Sequence, residues 1–468
     1  MARFWVAAWL LCLWVTPVAA RDAGLPEPVL AQLRAAKIPA AALGAAVVPL
    51  SGGKLALRHN ERQLFNPAST MKLVTTLAGL ELLGPQFTWR TEVLASVAPR
   101  DGVLDGDLVF RGGGDPAFVI ENLWLLTQRL RALGLREIRG DLVLDRSLFA
   151  PISHDPGAFD GEALRPYNAG PDALLVNYKS VSLSFVPDPE SRSVRVFATP
   201  AVAGLVLPAT VRADPGPCND WRGRLAGDFS DPLRPQFRGG FPLSCGERTW
   251  HLNLLEPTRY FEAVFRALWL AAGGQLSGQV REGVAPPAAR VLAVQDSRPL
   301  AEVIRDINKF SNNVMARQLF LALSWSGDAK VPASVARSQG VVADWLLGQG
   351  VGREEFVIDN GAGLSREARL TPAALSRLLA SAWASPLMPE FIASMPIVGV
   401  DGTMKRRTAA IGSAHIKTGL LVDARAIAGY VLAASGRRYA VVAFVNHTNA
   451  GASTPALDAL LNWIYVQG

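Results

Sequence analysis

The feature that most constrains the fold of this 468-residue chain is a matching set of strand patterns at its two ends. Residues 41–50 form a buried-strand run, Ser51-Gly52-Gly53 supplies a turn, and residues 54–59 return alongside it. Residues 415–421, 426–434 and 439–446 read as three further strands, with Ser435-Gly436 turning the last pair. The pattern predicts one antiparallel sheet assembled from both chain ends. An amphipathic helix over 27–37, started by Pro26, and a closing helix over 456–466 would cover a face of it. The run 69–83 has helical spacing, with Leu73, Leu77 and Leu80 on one side and Gly84-Pro85 as its stop. Helical stretches at 300–325 and 334–348 would fill an all-helical half.

Between about residues 90 and 290 the texture changes to Gly, Pro and short β-like runs. Gly106-Asp107-Leu108-Val109 is echoed by Gly140-Asp141-Leu142-Val143, two similar turn-to-strand starts too short to define a repeat. The expected fold class is α/β in the mixed (α+β) sense: an antiparallel sheet plus helices, with a large β-rich insertion. In residue terms, 21–90 and 291–468 form one discontinuous domain and 91–290 one or two inserted β-rich domains.

Residues 1–20 stand apart. Arg3 precedes an apolar run from Phe4 to Val15, and Val18-Ala19-Ala20 ends it with small residues, the pattern of a secretory signal peptide cleaved after Ala20. Leu10 and Leu11 before Cys12 do not suit a lipoprotein site, and no later segment has the length of a membrane span, so no integral membrane anchor is expected. In an exported, oxidising space Cys218 and Cys245 read as one structural disulfide, the alternative being two buried thiols. No metal or cofactor motif is present. The pI near 9.5 has no basic run or nucleic-acid motif behind it, so nucleic acid is not an expected partner; an anionic envelope or polymer explains the charge equally well.

Only 8 of the 47 basic residues are lysines, which makes lysine motifs informative. S-x-x-K occurs at Ser51/Lys54 and Ser69/Lys72, and chance alone supplies roughly half a match. Ser51 and Lys54 flank a hairpin turn. Ser69 and Lys72 begin a helix, where positions i and i+3 share a face, so an amine can take the serine proton beside backbone N–H groups suited to an oxyanion. The plain alternative for Ser69 is a helix N-cap. A lysine is a base at neutral pH only when burial or a second cation lowers its pKa, and Lys417-Thr418-Gly419 on a predicted strand offers that cation. The same strand suits a substrate carboxylate, with Gly419 allowing close approach; an ordinary edge lysine is the bland reading. Ser311-Asn312-Asn313 precedes a helical stretch, where Ser311 would relay a proton and Asn313 hold an amide, or would simply cap the helix.

S-x-x-K on a helix, then S-x-N, then K-T-G on a strand is the ordered signature of penicillin-binding proteins and class A β-lactamases. The chain resembles the class C low-molecular-mass penicillin-binding proteins, the D-alanyl-D-alanine carboxypeptidase/endopeptidase family. Gly112-Gly113-Gly114-Asp115-Pro116, Tyr167-Asn168-Ala169-Gly170 with Asn177, residues 359–366, residues 399–404 and Asn446-His447 also look like its blocks. The resemblance implies a penicillin-binding/β-lactamase-like transpeptidase domain interrupted after the S-x-x-K helix, periplasmic action on peptidoglycan peptides, and inhibition by β-lactams. It implies Ser69 as nucleophile, Lys72 as base, Ser311 as proton relay, and Asn313, Lys417, Thr418, Gly419 and Leu420 on the substrate. A homo-oligomer is compatible with it.

Two departures stand out. Leu420 occupies a place where many members carry Thr or Ser; its backbone N–H still serves an oxyanion, but a second hydroxyl contact to the substrate carboxylate is lost. The family's insertion often sends acidic residues toward substrate, for which Asp160 and Glu162 are candidates. No E-x-x-L-N run positions a deacylating water, so bound penicillin is expected to leave slowly. A β-lactamase or esterase on the same scaffold, or a non-catalytic peptidoglycan-binding protein, are the rival readings.

Overall fold

The computed structural model describes residues 21–188, 190–328 and 330–468. The leader expected over 1–20, with Cys12, lies outside the described residues. The two chain ends do build one sheet. Its six strands run in the order Arg21–Ala23, Leu55–His59, Leu43–Pro49, Arg438–Asn446, Ala424–Leu432, Ala414–Leu420. All neighbours are antiparallel except the first pair, which is parallel. Leu43 faces Val445 and Pro49 faces Tyr439, which locks the start of the chain to its end.

The central strand Arg438–Asn446 is buried from Tyr439 to Val445. Alternate residues point to opposite faces of a strand, and here both faces are covered. Val441, Ala443 and Val445 pack with Val29, Leu33 and Leu461 under the terminal helices Glu27–Ala35 and Thr454–Gln467. Val442 and Phe444 pack with Leu73, Leu77, Ile304 and Leu319 of the helical half. Two-sided burial explains why these strands read as continuous apolar runs rather than alternating ones.

Two expected elements differ in detail. The first strand starts at Leu43, after a 3-10 turn over Ala40–Ala42. The helical stretch 300–325 is two helices, Leu300–Lys309 and Asn313–Ala322, because Ser311 takes a left-handed φ of 56° between them.

The block between the chain ends carries strands, as expected, and also two long helices, Ile120–Ala132 and Pro257–Ala271. Their apolar stripes (Leu123, Leu126 and Leu130; Phe261, Phe265 and Trp269) join the strand side chains in one core. The Gly/Pro-rich composition around them masks a 3.6-residue period that is present in each. The echoed Gly-Asp-Leu-Val segments become adjacent parallel strands, Leu108–Arg111 and Leu142–Asp145, with Leu108 opposite Leu142. Val280–Glu282 adds a third parallel strand on the far side. A Cβ on Gly140 would lie 2.3 Å from the Gly106 backbone, so the stacked turns require glycine. The repeated aspartates, Asp107 and Asp141, both accept from Arg281.

Nearby, a five-stranded sheet runs Gly240–Pro242, Thr210–Asp214, Ser193–Thr199, Val181–Asp188, Arg248–Leu252. Cys218 and Cys245 form a disulfide beside it, 27 residues apart in sequence. Closing a loop of that length restricts the unfolded chain by about 3–4 kcal/mol. The double variant Cys218→Ala/Cys245→Ala should therefore melt at a lower temperature, and reductant should lower the melting point of the wild type but not of the variant. No helix among the described residues is long and apolar enough to cross a membrane.

Candidate active site

The segment that presents Ser69 is a tight 3-10 turn, Ala68–Thr70, feeding the helix Met71–Leu82. Ala68 sits at φ 45°, a conformation that costs energy for any residue with a Cβ and must be held by its surroundings. Asn66 Oδ1 accepts from the Ala68 N–H at 2.9 Å, and Asn446 clamps the Asn66 backbone through both ends of its amide. The N-cap position belongs to Thr70, which makes no side-chain cap, so Ser69 is not spent on capping. Its Oγ accepts instead from Lys72 Nζ at 2.9 Å.

Lys72 is fully buried, yet its ammonium hydrogens all have acceptors: Ser69 Oγ, Asn313 Oδ1 at 2.6 Å and the Ala362 carbonyl at 2.5 Å. No carboxylate pairs with it among the described residues. Burial, then the neighbouring cations Lys417 and Arg317, hold its pKa well below the usual amine value. Lys417 is also fully buried, and burial brings it down to about 7. Its Nζ donates to Ser311 Oγ at 2.9 Å and to the Thr418 carbonyl at 2.6 Å. Each lowered pKa moves its amine toward the proton-accepting form, and an anion bound beside Lys417 would favour its charged form.

Stability follows the same groups. An amine with a depressed folded pKa contributes stability that is present above its unfolded pKa of 10.5 and is lost as pH falls toward the folded value. Lys417 alone should make the protein progressively less stable from about pH 10.5 down to about 7. Lys417→Met should flatten that stretch of a melting-temperature profile.

The structure brings Ser69, Lys72 and Asn313 into one hydrogen-bonded group and sets the Lys417–Ser311 pair beside it, with Thr418, Gly419 and Leu420 along the edge of the same cleft. A Cβ on Gly419 would stand 2.8 Å from the Pro67 carbonyl and 2.9 Å from the Ala68 Cβ, so glycine lets the strand reach the serine turn. Thr418 Oγ1 donates to Thr403 Oγ1 at 2.8 Å. Leu420 is 66% exposed and lines the cleft with Thr418. Ser51 lies elsewhere, with its Oγ accepting from the Arg438 N–H.

The cleft in front of Ser69 has a volume of roughly 770 Å³. The segment between the chain ends contributes Phe159, Asp160 and Tyr167 to it, and the opposite wall carries Leu364, Arg366 and Thr403. Of the two acidic candidates, Asp160 lines the cleft; Glu162 is turned aside onto Arg165. Partial burial works against the Asp160 carboxylate, but the Glu162 N–H, Tyr167 hydroxyl and Asn168 amide all donate to it and hold it below the usual carboxylate range.

Two participants escaped sequence reasoning as individual residues. The Ala362 carbonyl, which accepts from Lys72, is a backbone group and leaves no side-chain signal. Thr403 stood inside a recognised block with no role of its own.

A serine turn, two buried amines and an S-x-N hairpin between a sheet and a helical half define a penicillin-binding fold. The structure superposes on penicillin binding protein 4 (dacB) from Haemophilus influenzae with a TM-score of 0.77 at 24% identity, covering 94% of this chain and 99% of that one. The chain belongs to the D-Ala-D-Ala carboxypeptidase 3 (S13) family, whose model matches residues 27–464. A D-alanyl-D-alanine carboxypeptidase of Actinomadura sp. is 29% identical over 96% of this chain and 85% of its own length. The D-alanyl-D-alanine carboxypeptidase DacB of Haemophilus influenzae is 26% identical over 84% of this chain and 83% of its own.

Proposed function

We propose that this chain is a serine-type D-Ala-D-Ala carboxypeptidase and D-alanyl endopeptidase that works on peptidoglycan stem peptides in the periplasm and is inhibited by β-lactams. The observation that carries the reading is a buried, cation-flanked Lys72 with Nζ 2.9 Å from Ser69 Oγ. Family membership narrows the chemistry to D-alanyl bonds. Ser69 Oγ attacks the carbonyl of the penultimate D-Ala while its proton passes to Lys72 Nζ. The oxyanion is held by the backbone N–H groups of Ser69 and Leu420. As the C–N bond breaks, a proton reaches the leaving amine through Ser311, with Asn313 holding the substrate amide and Lys417 and Thr418 its carboxylate. Water then cleaves the acyl-serine ester.

The division into a catalytic domain (21–90 with 291–468) and an insertion (91–290) belongs to the same proposal, with the insertion delivering Asp160 to the substrate. The cleaved leader completes it, and the disulfide supports an oxidising compartment.

The test is to label purified protein with penicillin, locate the adduct by mass spectrometry, and assay D-Ala release from a pentapeptide together with cleavage of a cross-linked dimer. A slowly released adduct on Ser69 with D-Ala release is the expected result. An adduct elsewhere overturns the assignment of Ser69, and rapid penicillin turnover without D-Ala release replaces the reading with a β-lactamase.

A further inference from the structure

A second cavity, of about 440 Å³, opens behind the cleft. Tyr167, Phe310, Ser311 and Asn313 line both spaces, so a substrate extended past Asn313 leads directly into it. Its far wall is basic: Arg165, Arg222 and His251 contribute to it, and no aspartate or glutamate does. We propose that this cavity is a carboxylate-binding subsite built on Arg222, which reads an anionic group of the peptide substrate outside its two D-alanyl residues.

Arg222 is the group in this wall that lacks a partner. Arg165 is paired with Glu162 at 3.1 Å, and His251 Nδ1 meets Ser182 Oγ at 2.8 Å. Arg222 has neither a hydrogen bond nor an ion pair among the described residues, and its Nε is buried without an acceptor. Its guanidinium lies over Trp221, 5.1 Å from the ring centroid, and over Trp250, at 5.6 Å. The two indoles meet edge to face, and together they hold the guanidinium in place before any ligand arrives. A partly buried cation with an orphaned donor and a second guanidinium nearby is costly to hold. Burial and Arg165 push against its charge, and Asp220 offsets them in part without an ion pair to it. A carboxylate set against the terminal Nη groups offsets the repulsion and fits their planar geometry. A guanidinium held by two indoles and without an ion pair, in a cavity that shares four lining residues with the cleft, is the arrangement of a recognition site rather than of a structural ion pair.

This inference rests on the proposed peptidase activity. Two sources offer the chemistry: a carboxylate upstream in the same stem peptide, or one on the neighbouring stem of a cross-link. Two substrate pairs separate them. The first is an acyl-D-Ala-D-Ala peptide carrying an upstream carboxylate or its primary amide. The second is a cross-linked dimer whose acceptor stem carries the carboxylate or the amide. The wild type should prefer the carboxylate member of one pair by about tenfold in kcat/KM, and that pair identifies the source. Arg222→Gln should erase the preference through KM of the carboxylate member, while Arg222→Lys retains part of it. The rate of penicillin acylation, measured alongside, reports an intact catalytic centre.

Should Arg222→Gln not fold, Arg222→Lys carries the test: a reduced preference for the carboxylate member with the amide member unchanged supports the subsite, and an unreduced preference overturns it. A wild type that does not discriminate in either pair, or an Arg222→Gln variant that slows both members equally, overturns the subsite. A wild type that neither binds penicillin nor releases D-Ala overturns the peptidase reading instead.

Discussion

Replacing Lys72 with methionine is expected to lower the rate of penicillin acylation and of D-Ala release by 10²- to 10⁴-fold, roughly the contribution of a well-placed general base. The folded state should hardly notice. Replacing a buried amine by an apolar side chain of similar volume removes the cost of keeping that polar group out of water. Against this, Asn313 Oδ1 and the Ala362 carbonyl lose their donor, at about 1–3 kcal/mol for a buried acceptor left unpaired. The two effects have opposite signs, so the melting temperature should move little while activity collapses. A variant that melts far below the wild type would show that Lys72 is chiefly structural.

The pH profile adds a check that stability cannot imitate. Lys72 takes a proton only when neutral, so acylation should rise with pH through its lowered pKa and then level off. Lys417 is one of the cations that lower it. Lys417→Met should therefore move the rising limb to higher pH, in addition to weakening binding of substrates with a free terminal carboxylate. A limb that stays in place in Lys417→Met would mean that burial and Arg317 set the Lys72 pKa without it.

These residues were legible in the sequence for a specific reason. Ser69 and Lys72 are three apart at a helix start, where local geometry alone brings them together, whereas the equally spaced Ser51 and Lys54 flank a turn. Lys417 and Ser311 are 2.9 Å apart in space but distant in sequence, and only the order of the motifs linked them. The sheet was legible for a related reason: strands buried on both faces carry long apolar runs, which stand out even at opposite chain ends.

What stayed hidden depends on backbone or on long-range contact. The left-handed φ of Ser311 splits a stretch that reads as one helix, since nothing in Phe310-Ser311-Asn312 demands the break. The helices Ile120–Ala132 and Pro257–Ala271 were lost in the average composition of their surroundings. The basic pocket wall combines Arg165, Arg222 and His251, which no local pattern connects.

Residues 359–366 stand out in the sequence only as a family-like block, and one of its glycines gives that block a sharper test. Gly363 has φ 73°, and a Cβ there would lie 1.9 Å from the Ala68 carbonyl, in the turn that presents Ser69. Gly363→Ala must therefore push the loop off that turn and carry the adjacent Ala362 carbonyl away from Lys72. The cost combines a left-handed alanine with a backbone clash, about 2–4 kcal/mol in all. Acylation should fall at least about tenfold, because Lys72 loses an acceptor that fixes its aim at Ser69.

Gly350 provides the control. Its φ of 74° is nearly the same, but a Cβ there meets nothing within 4 Å. Gly350→Ala should cost only the strain, about 1 kcal/mol, and leave acylation at the wild-type rate. If both variants acylate equally fast, the 359–366 loop does not position Lys72. If Gly363→Ala alone is slow, the loop belongs to the catalytic apparatus through its backbone.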